Sequence, residues 1–141
     1  MRWYLGGWAA VAVLSCAGLV AGGEGGRPKR PRLDLRASPR VAFSPVEILV
    51  IADLKGGQDI EDFYCPGLEW DWGDGSRSAH ESDCSPFEAG TTLDRFFTAR
   101  HTFRAPGAYG VRLTLRRAGR TVAVASVPVT VYGLSTDLSD P

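Results

Sequence analysis

Leu68-Glu69-Trp70-Asp71-Trp72-Gly73-Asp74-Gly75 alternates large apolar side chains with carboxylates and then stops on two glycines. A period of two puts Leu68, Trp70 and Trp72 on one face of a strand, and Glu69 and Asp71 on the other. Gly73 and Gly75 allow backbone angles that other residues resist, so the strand ends in a tight turn. Two tryptophans on one face supply a large area for a core between sheets.

The same period recurs on both sides. Downstream, Tyr109, Val111, Leu113 and Leu115 alternate with Gly110, Arg112, Thr114 and Arg116, the clearest strand pattern in the chain. Ala118-Gly119 then turns into a long final strand over Thr121–Tyr132. Pro128 interrupts this strand and lacks an N–H, which predicts an edge or a bulge there. Asp94–Thr98 carries Phe96 and Phe97. Upstream, Leu33, Leu35 and Ala37 mark a half-buried strand ending at Pro39, and Val46–Leu54 is apolar enough to be buried on both faces. No segment after Leu33 holds a helical period. The fold class expected is all-β, a seven-stranded sandwich.

The chain has 141 residues, enough for one domain. With 44% hydrophobic and 23% charged residues, its bulk is globular and not disordered. Sixteen basic residues balance sixteen acidic ones, so no overall charge draws it to nucleic acid. Arg2 precedes an uncharged stretch from Trp3 to Gly23 that ends in small residues, the order of a secretory signal peptide. Two other readings stay open. Val13-Leu14-Ser15-Cys16 resembles a lipobox, which would lipidate Cys16, and the apolar run is just long enough for a retained anchor. Arg27, Lys29, Arg30 and Arg32 beyond the run oppose export, because positive charge tends to stay cytoplasmic. The organisation expected is a leader over residues 1–22, a Gly/Pro/basic linker over 23–31, a domain over 32–133 and a tail over 134–141. The linker reads as a solvated spacer.

Trp70-Asp71-Trp72-Gly73-Asp74-Gly75 resembles the signature of PKD domains, with Trp72 in place of the usual Phe. His101-Thr102-Phe103 resembles the family's His-x-Tyr/Phe element. Pro106-Gly107-Ala108-Tyr109-Gly110-Val111-Arg112-Leu113 resembles its Gly-x-Tyr-x-Val-x-Leu strand, and Val127–Val131 its closing strand. The resemblance spans about residues 32–132. It implies an immunoglobulin-like sandwich, an extracytoplasmic location (secreted, periplasmic or lipoprotein-anchored), and contact with a protein or glycan. It also implies structural roles for Asp71, Asp74, His101, Gly107 and Tyr109. A membrane would be met only through the leader.

The connection from Ser76 to Thr92 is long for such a domain. Cys65 and Cys84 enclose eighteen residues around the tryptophan strand, and an even pair in an exported domain reads as a disulfide. Two free thiols, or a metal pair with His80, are the alternatives. Three sites deserve weighing. Asp71, Asp74 and His101 are the residues a small hydrolase would use. Asp53, Asp59, Glu61, Asp62 and Asp83 supply oxygen ligands for calcium, which some PKD domains bind, but in no EF-hand order. No metal or other cofactor is therefore assigned. Phe63, Tyr64 and Phe87 are candidates to stack on a sugar or fill a partner's pocket, with satellite core packing as the alternative. No Gly-x-Ser-x-Gly, His-Glu-x-x-His or phosphate loop occurs. The protein is expected to be a non-enzymatic contact module. A carbohydrate-binding accessory to separate hydrolases is the second possibility.

Overall fold

A computed structural model describes residue 26 and residues 30–134. The expected leader with Cys16, most of the linker, and the tail from residue 135 lie outside the described residues. Among the described residues eight strands form: β1 (Arg32–Ser38), β2 (Val41–Phe43), β3 (Val46–Lys55), β4 (Gly67–Asp71), β5 (Arg77–His80), β6 (Phe96–Phe103), β7 (Gly107–Arg117) and β8 (Arg120–Tyr132). A single 3-10 turn, Glu61–Phe63, precedes β4. The strands build two sheets, ordered β1-β3-β6 and β2-β8-β7-β4-β5. All pairings are antiparallel except β2 with β8.

The inward faces follow the period-two patterns. Ile48, Val50, Ala52 and Leu54 of β3 meet Trp70, Val111, Leu113, Leu115, Val127, Val129 and Val131 from the other sheet, all buried. The expectation that Val46–Leu54 is buried on both faces is wrong. Leu49 and Ile51 are half-buried and Glu47 is exposed. Among the described residues no third layer covers that face. Leu49 lies opposite Arg100, and Ile51 opposite Arg36, whose long stems can shelter apolar neighbours while their charge stays in water.

The strand count also differs. The first strand ends at Ser38 and the chain crosses to the other sheet, where β2 pairs with β8. β5 is fully exposed along its length. Neither β2 nor β5 has the one-sided burial that would write a period into its sequence. The connection expected over 76–92 therefore begins with a strand, and the irregular segment runs over 81–95. The strand expected at Asp94–Thr98 lies instead at Phe96–Phe103. Pro128 sits where an edge was expected. Thr130 donates its backbone N–H to Arg40 on the β2 side, and the nitrogen of Pro128 has the same parity. β2 pairs only with Thr130–Tyr132, so the Pro128 nitrogen faces no described strand.

The Gly-Asp-Gly turn is fixed by close packing. Gly73 has φ +78°, and a Cβ there would come within 2.9 Å of the backbone of Gly110 on β7. Gly75 has φ +90° but open space around it. Both positions disfavour an L side chain, by roughly 1–2 kcal/mol. Only Gly73 adds a backbone collision. Gly73→Ala is thus expected to destabilise the domain clearly more than Gly75→Ala in urea unfolding. Equal losses from the two variants would contradict this account.

Candidate functional site

Asp74 leaves the β4–β5 turn and reaches the other sheet. Its carboxylate lies 2.7 Å from Nε2 of His101 on β6 and accepts the backbone N–H of Ser76 at 2.9 Å. Partial burial raises the carboxyl's pKa, but hydrogen bonds from the Ser76 hydroxyl and from His101 outweigh this and lower it from 3.8 to about 2. The His101 ring stacks on Trp72 at 4.5 Å and meets the edge of Phe103 at 4.8 Å. Trp72 stacks on Trp70, and Phe103 on Tyr109, so five rings run through this end of the sandwich. Tyr109 closes the row by donating its hydroxyl to the Ala105 carbonyl at 2.7 Å, as a tyrosine corner does. A Cβ on Gly107 would press on the Tyr109 ring at 3.0 Å. These side chains hold sheet to sheet.

Asp71 has other partners. It accepts the Gly73 N–H at 3.0 Å and pairs with Arg77 at 3.2 Å on the outer face of the five-stranded sheet. The depression that Asp71 helps to line is shared with Arg77 and Arg112, and neither Asp74 nor His101 borders it. The three residues of the hydrolase reading therefore do not share a cavity. The hydrogen-bonded Asp74 carboxylate yields a pH prediction. Its folded pKa lies below its unfolded value, so its stabilisation is complete above about pH 3.8 and is lost as pH falls through about 2. Acid unfolding should show a limb in that window, and Asp74→Asn should flatten it.

Cys65 and Cys84 are joined, with sulfurs 2.01 Å and Cα atoms 6.2 Å apart. The free-thiol and metal readings of this pair are excluded. Phe63 does not lie on the surface. It is 1% exposed, in the core, because the 3-10 turn at Glu61–Phe63 rolls it beneath the sandwich end. Tyr64 and Phe87 are half-buried and pack edge to face at 5.4 Å. Tyr64 also donates to the Ser85 carbonyl at 2.9 Å and lies under the Arg117 guanidinium at 5.6 Å. Together with the disulfide, these contacts pin the 81–95 segment. Of the carboxylates weighed for calcium, Asp59, Glu61 and Asp62 border one depression together with Arg30, while Asp53 stands on β3 and Asp83 in the irregular segment. Asp53 pairs with Arg36 and Lys55, and Asp62 with Arg30 and Arg120. Among the described residues no three His, Cys, Asp or Glu side chains converge as metal ligands would.

Sequence reasoning missed a different surface. Val41 and Phe43 project from the outer side of β2, and Phe43 lies opposite Tyr132 with the rings 5.9 Å apart. Exposures are 61% for Val41, 59% for Phe43, 52% for Tyr132 and 73% for Leu134. The one available signal was Val41-Ala42-Phe43 between two prolines, too short to register as a strand.

A scan of family models and a search of curated proteins gave no match to this chain. The solved structures gave a fold. The PKD domain of an M14-like peptidase from a Thermoplasmatales archaeon superposes with a TM-score of 0.52 at 14% identity, covering 74% of this chain and 99% of that domain. The CARDB domain of the PF1109 protein from Pyrococcus furiosus reaches a TM-score of 0.47 at 14% identity, covering 75% and 97%. The described domain has an immunoglobulin-like β-sandwich fold similar to that of this PKD domain.

Proposed function

We propose that this protein is a non-catalytic contact module of the extracytoplasmic space that binds a protein through the Val41, Phe43, Tyr132 and Leu134 surface. The carrying observation is the exposure of these four side chains, each more than half open, around one end of β2 and β8. Isolated exposed apolar residues are ordinary, whereas a contiguous group on a small domain marks an interaction surface. The turn residues have structural partners, and the depression beside Asp71 is bordered by neither Asp74 nor His101, which favours binding over catalysis. The disulfide is at home in an oxidising compartment and supports export. A glycan ligand fits less well. The Phe43 and Tyr132 rings are tilted by 45°, and Tyr64 and Phe87 by 62°, so neither pair makes the flat platform on which a sugar stacks.

The test is a photo-crosslinking residue at position 43 in the native host, with a control at Arg36 on the opposite sheet. An adduct from position 43 that protease removes and glycosidase does not, absent from position 36, is the expected result. A glycosidase-sensitive adduct, or none, overturns the reading. Intact mass of the native protein tests export. Loss of the N-terminal segment near Gly23, or a lipidated Cys16 as first residue, is expected, and an intact Met1 opposes it.

A further inference from the structure

The opposite edge of the five-stranded sheet has a second feature, independent of the Phe43 surface. β5 pairs with β4 on one side, and its other side faces no strand among the described residues. Trp72 donates its backbone N–H to Ser76, which sets the hydrogen-bonding phase of the hairpin. The pairs Trp70–Ser78 and Leu68–His80 continue that phase, and Asp71–Arg77 and Glu69–Ala79 alternate with it. Arg77 and Ala79 therefore turn their backbone N–H and C=O groups away from β4, toward the open edge.

This edge is held in place at both ends. At one end Trp72 donates its indole N–H to the Ser78 hydroxyl at 3.2 Å, and Arg77 pairs with Asp71. At the other, the Cys65–Cys84 bridge ties down the chain that leaves β5. A rigid edge loses little conformational freedom when a partner strand pairs with it.

The side chains on the outer face select the partner. Arg77, Asp71 and Arg112 lie in one row across β5, β4 and β7, and Ala79, Glu69 and Thr114 in the next. Ala79 and Thr114 are small, and a depression of about 480 Å³ opens over these rows. Glu69 is matched by Arg116 at 3.3 Å, and Asp71 by Arg77 at 3.2 Å. Glu81 lies over Gly67 in the row of Arg116, but Arg112 has no carboxylate within salt-bridge distance among the described residues, so the row of Arg77, Asp71 and Arg112 holds two cations to one anion. Asp71 has Arg112 directly across on β7, so Arg112 can neutralise it whenever Arg77 turns outward to another anion.

We infer that the free edge of β5 binds an extended acidic peptide segment of a partner protein by strand addition. The segment forms backbone hydrogen bonds with Arg77 and Ala79, places a carboxylate against Arg77, and lays a larger side chain over Ala79 two residues away. Charge complementarity picks an acidic strand over a basic one.

The probe is the blocked peptide Thr-Glu-Thr-Leu-Thr-Glu-Thr, which reads the same in both directions. Titrated into the oxidised protein and followed by amide NMR and hydrogen exchange, it should protect the Arg77 and Ala79 amides. Replacing both Glu by Lys should weaken binding by about tenfold, and so should Arg77→Glu. Ala79→Pro removes an N–H that does not face β4, so it should abolish binding while the β4 ladder persists. If that variant unfolds, Arg77→Glu and the Lys peptide decide the matter. Equal binding of the Glu and Lys peptides, or no protection at Arg77 and Ala79, overturns the inference. So does a response to polygalacturonate without one to the peptide, which would make the site an anionic-glycan site. None of these readouts depends on the Phe43 surface.

Discussion

Trp70→Ala should cost about 3–5 kcal/mol of unfolding free energy, the largest loss expected from a single substitution in this domain. Trp70 is 4% exposed, points between the sheets from β4, and stacks on Trp72 with ring centroids 5.5 Å apart. β4 lies between β7 and β5, so no outer strand can close inward to fill the space its indole leaves. For a domain of about 100 residues, this loss lowers the melting temperature by roughly 15 °C or more. Trp70→Phe keeps much of the packed area and should cost clearly less. Calorimetry on both variants checks the pair. A Trp70→Ala variant that melts within a few degrees of the wild type would show that the core does not depend on this side chain.

Breaking the disulfide is the other large effect. Cys65 and Cys84 are 19 positions apart, and closing a loop of that length restricts the unfolded chain by about 3 kcal/mol in the entropy model. The double variant Cys65→Ser/Cys84→Ser should lower stability by about that amount. The loss should be local before it is global. Tyr64, Phe87, Ser85 and Arg117 also hold the first part of the irregular segment, near the surface, whereas its end is anchored by buried Leu93 and by Arg95, which bonds to Leu54 and Gly56. Hydrogen exchange should therefore rise first over residues 81–92 and last over β3 and β7, whose central inward residues are fully buried. Uniform acceleration across both sheets would mean that the bridge supports the whole fold and not this segment.

Much of this protein is legible without coordinates, for a definite physical reason. A strand with one buried face must alternate, so β1, β4 and β7 were legible by period, β3 only as an apolar run whose burial was misread, and the turn at Gly73-Asp74-Gly75 by residues that tolerate positive φ. Pairing of Cys65 with Cys84, the two cysteines outside the expected leader, followed from their number and the compartment expected. The rest depends on what lies next to what. β2 is three residues long with only Ala42 half-buried, and β5 is exposed throughout, so no readable alternation marks them, and both are defined by the neighbouring strands to which they bond. Phe63 has the same composition cue as Phe87, and only the 3-10 turn sends one to the core and leaves the other half-exposed. Phe43 and Tyr132 are 89 positions apart in the chain and become one surface through the parallel pairing of β2 with β8. The sequence alone determined the class of fold, its main core strands and its principal turn, because burial periodicity and backbone stereochemistry act over a few neighbouring residues. The tertiary structure alone decided the candidate surfaces, because an exposed aromatic and an open strand edge are properties of sheet order, which arises from contacts between distant parts of the chain.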